Sequence, residues 1–225
     1  MPDIPNRDEL ERQLGRKLGK LNRVHLARLI EYLGDPPKVE NVPYTFWEEA
    51  GIEMASVLGP FSEDIYVQSA LELMNSQPIG VDWAVVNQNA VDWARDYTFN
   101  LVQGINDHSR TALQSTVGAY YERGQTTGEL VNRLSGIFGP TRAEMIAVTE
   151  ITRAAAEGER AMVRELNKQG GVQMVPIWQT NNDSLVCPIC GPRHSQEITD
   201  GIYPPSHPRC RCWFGYEYPR LEKKQ

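Results

Sequence analysis

Residues 141–165 read TRAEMIAVTEITRAAAEGERAMVRE. Thr141 followed three residues later by Glu144 has the form of a capping box, in which a hydroxyl meets one orphan amide at a helix start and a carboxylate meets another. The alanine-rich run behind it predicts a long helix, set off from its neighbours by Gly139-Pro140 before it and Gly170-Gly171 after it.

Working toward the N-terminus, Thr126-Thr127-Gly128-Glu129 offers another cap, for a short helix to Phe138. Asp107 to Glu122 is helix-compatible and ends at Gly124. Val81-Asp82-Trp83-Ala84 recurs ten residues on as Val91-Asp92-Trp93-Ala94, which at about 3.6 residues per turn returns each tryptophan to nearly one face and predicts a single helix from about Val81 to Gln103. Phe46, Trp47, Ala50, Met54, Val57 and Leu58 form a shorter amphipathic pattern. It stops at Gly59-Pro60 and resumes with Phe61, Ile65 and Leu73, as in a helical hairpin. Leu10, Leu14, Leu18, Leu21, Leu26, Leu29, Ile30 and Leu33 mark one face of a first helix, closed by Gly34-Asp35-Pro36-Pro37, with a loop to Pro43.

Toward the C-terminus the character changes. Val172 to Thr180 alternates like a strand, its Pro176 suggesting an edge, and Asn181-Asn182-Asp183 reads as a turn. Gly201-Ile202-Tyr203 and Cys212 to Tyr216 are further strand candidates, and Glu222 to Gln225 is a charged tail. The expected fold is mainly α, a long-helix bundle body with a small C-terminal irregular α+β zinc-knuckle lobe. Along the chain it divides into an N-terminal helical arm and linker (1–43), a helical body (44–170) and a strand and zinc-knuckle lobe (171–225).

A hydrophobic fraction of 40% and a charged fraction of 23% are ordinary for a folded globular chain. The net charge of -6 and pI near 5.3 oppose a protein that coats a phosphate backbone, since non-specific nucleic-acid affinity comes mainly from lysine and arginine. No run of about 18 apolar residues is present and the first residues lack the apolar middle of a secretory signal, so a cytoplasmic chain without a membrane partner is expected.

All four cysteines fall between 187 and 212, where a reducing compartment favours metal binding over disulfides. Cys187-Pro188-Ile189-Cys190 turns two thiolates toward one point. After 16 residues, His207-Pro208-Arg209-Cys210-Arg211-Cys212 supplies three more candidates. Tetrahedral zinc takes four ligands and five are on offer: Cys187, Cys190, His207, Cys210 and Cys212. The knuckle spacing favours Cys187, Cys190, His207 and Cys210, with a four-cysteine site as the rival. All-protein ligation makes the single zinc structural rather than catalytic. Free thiols or two disulfides are the plainer alternatives, and Gly191-Pro192 after the CxxC argues against a thioredoxin-like redox role.

Elsewhere, Glu144, Glu150, Arg142 and Arg153 read as ion pairs on a solvated helix face, and Trp47, Trp83, Trp93, Tyr97 and Phe99 as core. His25 and His108 have no partner at catalytic spacing; His194 is a candidate substitute ligand or supporting donor.

The order Ile177-Trp178-Gln179-Thr180, Asp183, Val186-Cys187-Pro188-Ile189-Cys190 and Pro204-Pro205-Ser206-His207-Pro208-Arg209-Cys210-Arg211-Cys212 resembles the C-terminal signature of the Mu F-like phage head-morphogenesis family. The preceding helix resembles it through Arg142-Ala143-Glu144-Met145-Ile146-Ala147 and Thr149-Glu150-Ile151-Thr152-Arg153-Ala154, ahead of Gly158. The resemblance runs from about Thr98 to Tyr216; the first 95 residues match only in being helical and polar. Two departures are Val148, where the family often has arginine, and Arg193-His194-Ser195, where it has a leucine-x-glycine element.

The resemblance implies a minor capsid protein, not an enzyme. Its implied partners are the portal and inner capsid or scaffold proteins, with packaged DNA a further candidate. Its implied place is the head interior or portal vertex of the virion, and the host cytoplasm during assembly. Two other classes compete. A zinc-supported nuclease needs a further histidine pair, to which only His194 lies near enough to contribute. A nucleic-acid-binding zinc module would draw on Arg193, Arg209, Arg211, Arg220, Lys223 and Lys224. A nucleobase deaminase needs histidine-x-glutamate before its CxxC, and none of the four histidines is so placed.

Overall fold

The leucine spacing of the first segment becomes helix α1 (Arg7–Leu33), with Leu14, Leu18, Leu29 and Leu33 buried. It stops where expected: Gly34 takes a left-handed φ of 69°, a conformation that costs glycine no Cβ clash, and its amide donates to the Ile30 carbonyl. The computed structural model describes residues 4–76, 82–170, 173–181, 184 and 186–217.

Helix α2 (Tyr44–Asn75) runs straight through Gly59-Pro60, so the expected hairpin is one helix. A proline inside a helix costs about 3 kcal/mol and frees the carbonyl four residues back. Here that carbonyl belongs to Ser56, and Ser56 and Pro60 are both exposed to water. Met54, Leu58, Ile65 and Leu73 are all buried on the other face, and that continuous apolar stripe outweighs the break. Helix α3 (Trp83–Arg123) likewise joins the two segments expected around residues 103–107. Val86, Ala90, Ala94, Thr98 and Val102 are buried at four-residue steps, as are Ser109, Leu113 and Val117, so one face persists past Gly104. Val81 and the side chain of Trp83 lie outside the described residues, and Trp93 is half-buried beside Tyr66. Phe99, expected in the core, is exposed.

Helix α4 (Thr127–Ile137) carries the expected capping box: the Thr126 hydroxyl accepts from the Glu129 amide while the Glu129 carboxylate accepts from the Thr126 amide. Helix α5 (Pro140–Gly170) begins at Pro140, and Thr141 lies inside its first turn rather than capping it. Proline suits the first helical position because its missing amide hydrogen would have no partner there. Gly139 is required before it, since a Cβ would stand 2.3 Å from the Ser135 carbonyl oxygen.

Two short strands, β1 (Val175–Gln179) and β2 (Trp213–Glu217), pair antiparallel with Trp178 opposite Phe214. Residues 195–198 bond along the other side of β1, through Trp178 N–H to the Gln196 carbonyl, Ser195 N–H to the Trp178 carbonyl and Ile198 N–H to the Pro176 carbonyl. Pro176 is therefore not on an edge. It is tolerated because only its carbonyl is used at the end of that pairing. Gly201 to Tyr203 is irregular. Asn182, Asp183 and the tail Glu222–Gln225 lie outside the described residues.

The chain forms two compact units, each discontinuous in sequence. One comprises Asp8–Phe61 and Ala94–Ala147, with a core of Leu29, Leu33, Phe46, Trp47, Leu113, Val117, Leu130, Leu134 and Phe138. The other comprises Met1–Arg7, Ser62–Trp93 and Val148–Gln225. Within it, Gly158 lets α5 approach α2 so closely that a Cβ would lie 2.2 Å from the Tyr66 carbonyl oxygen. Ala156 of α5 shares a buried cluster with Trp178, Phe214, Cys190, Cys210 and Cys212. The C-terminal lobe thus has a helix for a floor.

Candidate metal centre

The CxxC segment is a tight turn: the amides of Cys190 and Gly191 both donate to the Cys187 carbonyl, and Cys190 N–H also points at Cys187 Sγ at 3.4 Å. A short 3-10 turn, Gly191–Arg193, follows. On the opposing segment the Cys210 amide donates to the His207 carbonyl, and Arg209 between them adopts a left-handed φ of 62°.

The folds of these two segments converge. Cys187 Sγ lies 3.1 Å and Cys190 Sγ 3.2 Å from His207 Nε2, and Cys190 Sγ lies 3.9 Å from Cys210 Sγ. Cys187, Cys190 and His207 form one set of mutually close donor atoms, and Cys190, Cys210 and Cys212 another, with Cys190 in both. All five expected residues are brought together, and they could hold a metal ion. A tetrahedron with metal–sulfur bonds of ~2.3 Å spaces its sulfurs by roughly 3.8 Å, so the Cys190–Cys210 separation already suits one. His207 would move outward by a few tenths of an ångström. A cavity of about 280 Å³, bordered by Thr180, Val186, Pro208 and Arg211, opens beside the donors.

Charge is distributed unevenly across the cluster. The Cys210 thiol falls to about 5, first because Cys212 donates its S–H to it and further because backbone amides point at it. Burial pushes Cys190 up to about 11, and the same hydrogen bond to Cys210 drives Cys212 above the ordinary thiol range. Cys187 is lowered although burial opposes it, by the amides of Cys190 and Ile189. His207 is raised chiefly by the contact of Nδ1 with the Pro208 carbonyl, 2.8 Å away. With Nδ1–H donating there, the Nε2 lone pair faces Cys187 and Cys190, the tautomer a metal ligand needs. Burial thus favours the protonated form of Cys190 while hydrogen bonds favour the thiolate of Cys210, so a cation entering the cluster would displace protons.

Two hydroxyls that sequence reasoning did not assign to the site hold it on α5. Thr149 Oγ1 accepts from the Arg209 amide at 2.9 Å; Thr152 Oγ1 donates to the Cys210 carbonyl at 2.9 Å and accepts from Arg7 Nη1 at 3.0 Å. Their signal was hydroxyls three residues apart on an otherwise alanine-rich helix, where a buried hydroxyl needs a partner. His194 belongs to neither donor set: its Nδ1 accepts from the Thr180 amide at the end of β1. Glu150 is buried rather than on a solvated face, with Arg153 Nε at 3.8 Å. Arg142 donates to the Ser109 hydroxyl and to the Ile137 and Ile105 carbonyls. His25, which has no partner at catalytic spacing in sequence, is a buried histidine against Glu53 at 2.6 Å.

No family model, curated protein or solved structure matches this chain.

Proposed function

We propose that this chain is a bacteriophage minor head protein that acts by binding, and that its C-terminal cluster holds one structural zinc ion. The observation that carries the reading is where the two resembling motifs lie: the Thr149–Ala154 stretch and the His207–Cys212 stretch, 60 residues apart for the Thr149–Arg209 bond, are joined by paired hydroxyls. A motif pair with that contact is a single unit, helix floor plus knuckle, and the resemblance extends over both halves of it.

Zinc is favoured by the donor set. Thiolate and imidazole suit it, whereas calcium and magnesium take oxygen ligands. Four of the five donors close a tetrahedron, and the fifth is left to donate a hydrogen bond to a bound thiolate. Cys187, Cys190, His207 and Cys210 are the proposed ligands, with Cys212 as that donor, since its Sγ lies within 4.8 Å of those of Cys190 and Cys210. Such a site supports shape, and the helical units would supply the surfaces that meet the portal and the inner capsid or scaffold proteins.

The test has two arms. Freshly purified protein should carry about one equivalent of zinc by elemental analysis; less than a tenth, with mapped disulfides instead, refutes the metal. Co-expressed with its cognate portal and scaffold, the chain should enter particles, and a Cys187→Ser/Cys210→Ser variant should enter them less. Exclusion of the wild type from particles together with metal-dependent DNA cleavage would replace this reading with a nuclease.

A further inference from the structure

Within the unit formed by Asp8–Phe61 and Ala94–Ala147, the outer faces of α2 and α3 enclose a groove of about 540 Å³. The two helices run antiparallel along it. Tyr44 lies under the Arg110 guanidinium at 5.6 Å, Asn106 donates to the Trp47 carbonyl at 2.9 Å, and a Cβ on Gly51 would meet Asn106 and Val102 at 3.1 and 3.2 Å. The glycine brings the floor close and leaves the walls standing. On α2 the wall is Tyr44, Glu48 and Ile52, four residues apart and so on one face; on α3 it is Phe99, Asp107 and Arg110.

Three large apolar side chains on these walls face water: Tyr44 is 64% exposed, Ile52 71% and Phe99 62%. They are not scattered singly but gathered round one concave floor, which is the arrangement of an interaction site. The charges between them choose the partner. Glu49 and Glu53, nearby on α2, are already bridged by Arg28. Among the described residues no cation bridges Glu48 or Asp107, which stand on opposite walls between the Ile52–Phe99 end of the groove and its Tyr44–Arg110 end.

We propose that this groove receives an amphipathic helix of a partner protein, carrying a lysine or arginine flanked by apolar anchors. One apolar anchor seats between Ile52 and Phe99. One turn further the basic residue meets Glu48 and Asp107, and a second anchor one turn beyond lies against Tyr44. From Tyr44 to Ile52 is about 12 Å at 1.5 Å per residue, just over two helical turns, so the motif is apolar-x3-basic-x3-apolar. The acidic pair gives register and excludes a partner with a carboxylate at the centre. The surface is remote in sequence from the metal cluster, and the inference stands or falls independently of the phage reading.

The experiment pans a yeast-displayed library of 14-residue alanine-scaffold helices, randomised on one face, against the full-length chain. Winners are then measured as fluorescein-labelled synthetic peptides by anisotropy. The expected winners carry the apolar-basic-apolar pattern. Their affinity should fall by about tenfold or more for Phe99→Ser, and by a similar factor for Glu48→Lys/Asp107→Lys, as for loss of a central anchor or a charge pair. These side chains are exposed, and unchanged helical circular dichroism confirms that the variants fold. No enrichment, winners with a central acid, or equal binding to the variants overturns the proposal. So does concentration-dependent self-association in sedimentation velocity that Phe99→Ser abolishes, which would give the groove to a second copy.

Discussion

Replacing Thr152 by valine removes one hydroxyl and changes almost nothing else in volume, so it tests whether α5 holds the turn that carries His207 and Cys210. The side chain is 2% exposed, and its oxygen serves both the Cys210 carbonyl and Arg7 Nη1. Without it, a buried carbonyl and a buried guanidinium N–H each lose a partner. A buried polar group left unsatisfied costs about 1–3 kcal/mol. Arg7 keeps another interaction, which places its share at the low end. The extra methyl returns less than ~1 kcal/mol because it replaces a group of the same size. The net expectation is a loss of about 2–3 kcal/mol. Thr152→Ser keeps the hydroxyl and deletes a methyl, for about 1 kcal/mol. Urea unfolding of both variants, followed by tryptophan fluorescence with zinc present and again with chelator, measures the difference. In competition with a chromogenic chelator, the valine variant should also release zinc at a lower chelator concentration, and serine should restore the wild-type value. Equal destabilisation by valine and serine, with unchanged zinc competition, would refute the clamp.

Zinc affinity should fall as pH is lowered from 8 to 6, because Cys190, held up at about 11, retains a proton that the metal must displace; chelator competition at several pH values reads this directly. Cys187→Ser should speed amide exchange between residues 173 and 217 and leave α1 to α4 protected; collapse of the whole helical signal would contradict a lobe whose metal acts locally. Burial lowers the His25 pKa, so this residue contributes stability above its unfolded value near 6.5 that is lost as pH falls below it. Glu53, lowered by its bond to His25, adds a further loss as pH falls through its own depressed value below 4.5. Thermal midpoints with chelator present should therefore decline from pH 7 to pH 5 in the wild type, and decline less in His25→Gln.

The five donors were legible because a CxxC and an HxxCxC are short: the residues that must converge are already neighbours, and a reversed turn does most of the work. The caps at Thr126 and the stop at Gly34 were legible for the same reason, since hydroxyl, carboxylate and left-handed glycine act within one turn. Local patterns failed at Pro60 and at Gly104. There, local propensity argues for a break, but buried residues on both sides share one face, and only their tertiary neighbours make that face worth keeping. Pro176 reads as an edge residue in isolation, because its second neighbour, 195–198, is an irregular segment with no strand pattern of its own.

What the amino-acid order determined on its own was therefore the local chemistry: which segments coil, which turns bring thiolates and imidazole within reach of one ion, and an acidic chain with a cysteine-rich end. Tertiary structure alone decided what those turns rest on. Thr149 and Thr152 stand 60 and 58 residues from their partners Arg209 and Cys210, and Arg7 stands 145 from Thr152. It also decided that Phe99 and Ile52, apolar and helical like their buried neighbours, face outward. Helical periodicity names a face but not what covers it, and only the packing of α2 against α3 leaves these two side chains above a groove instead of beneath one.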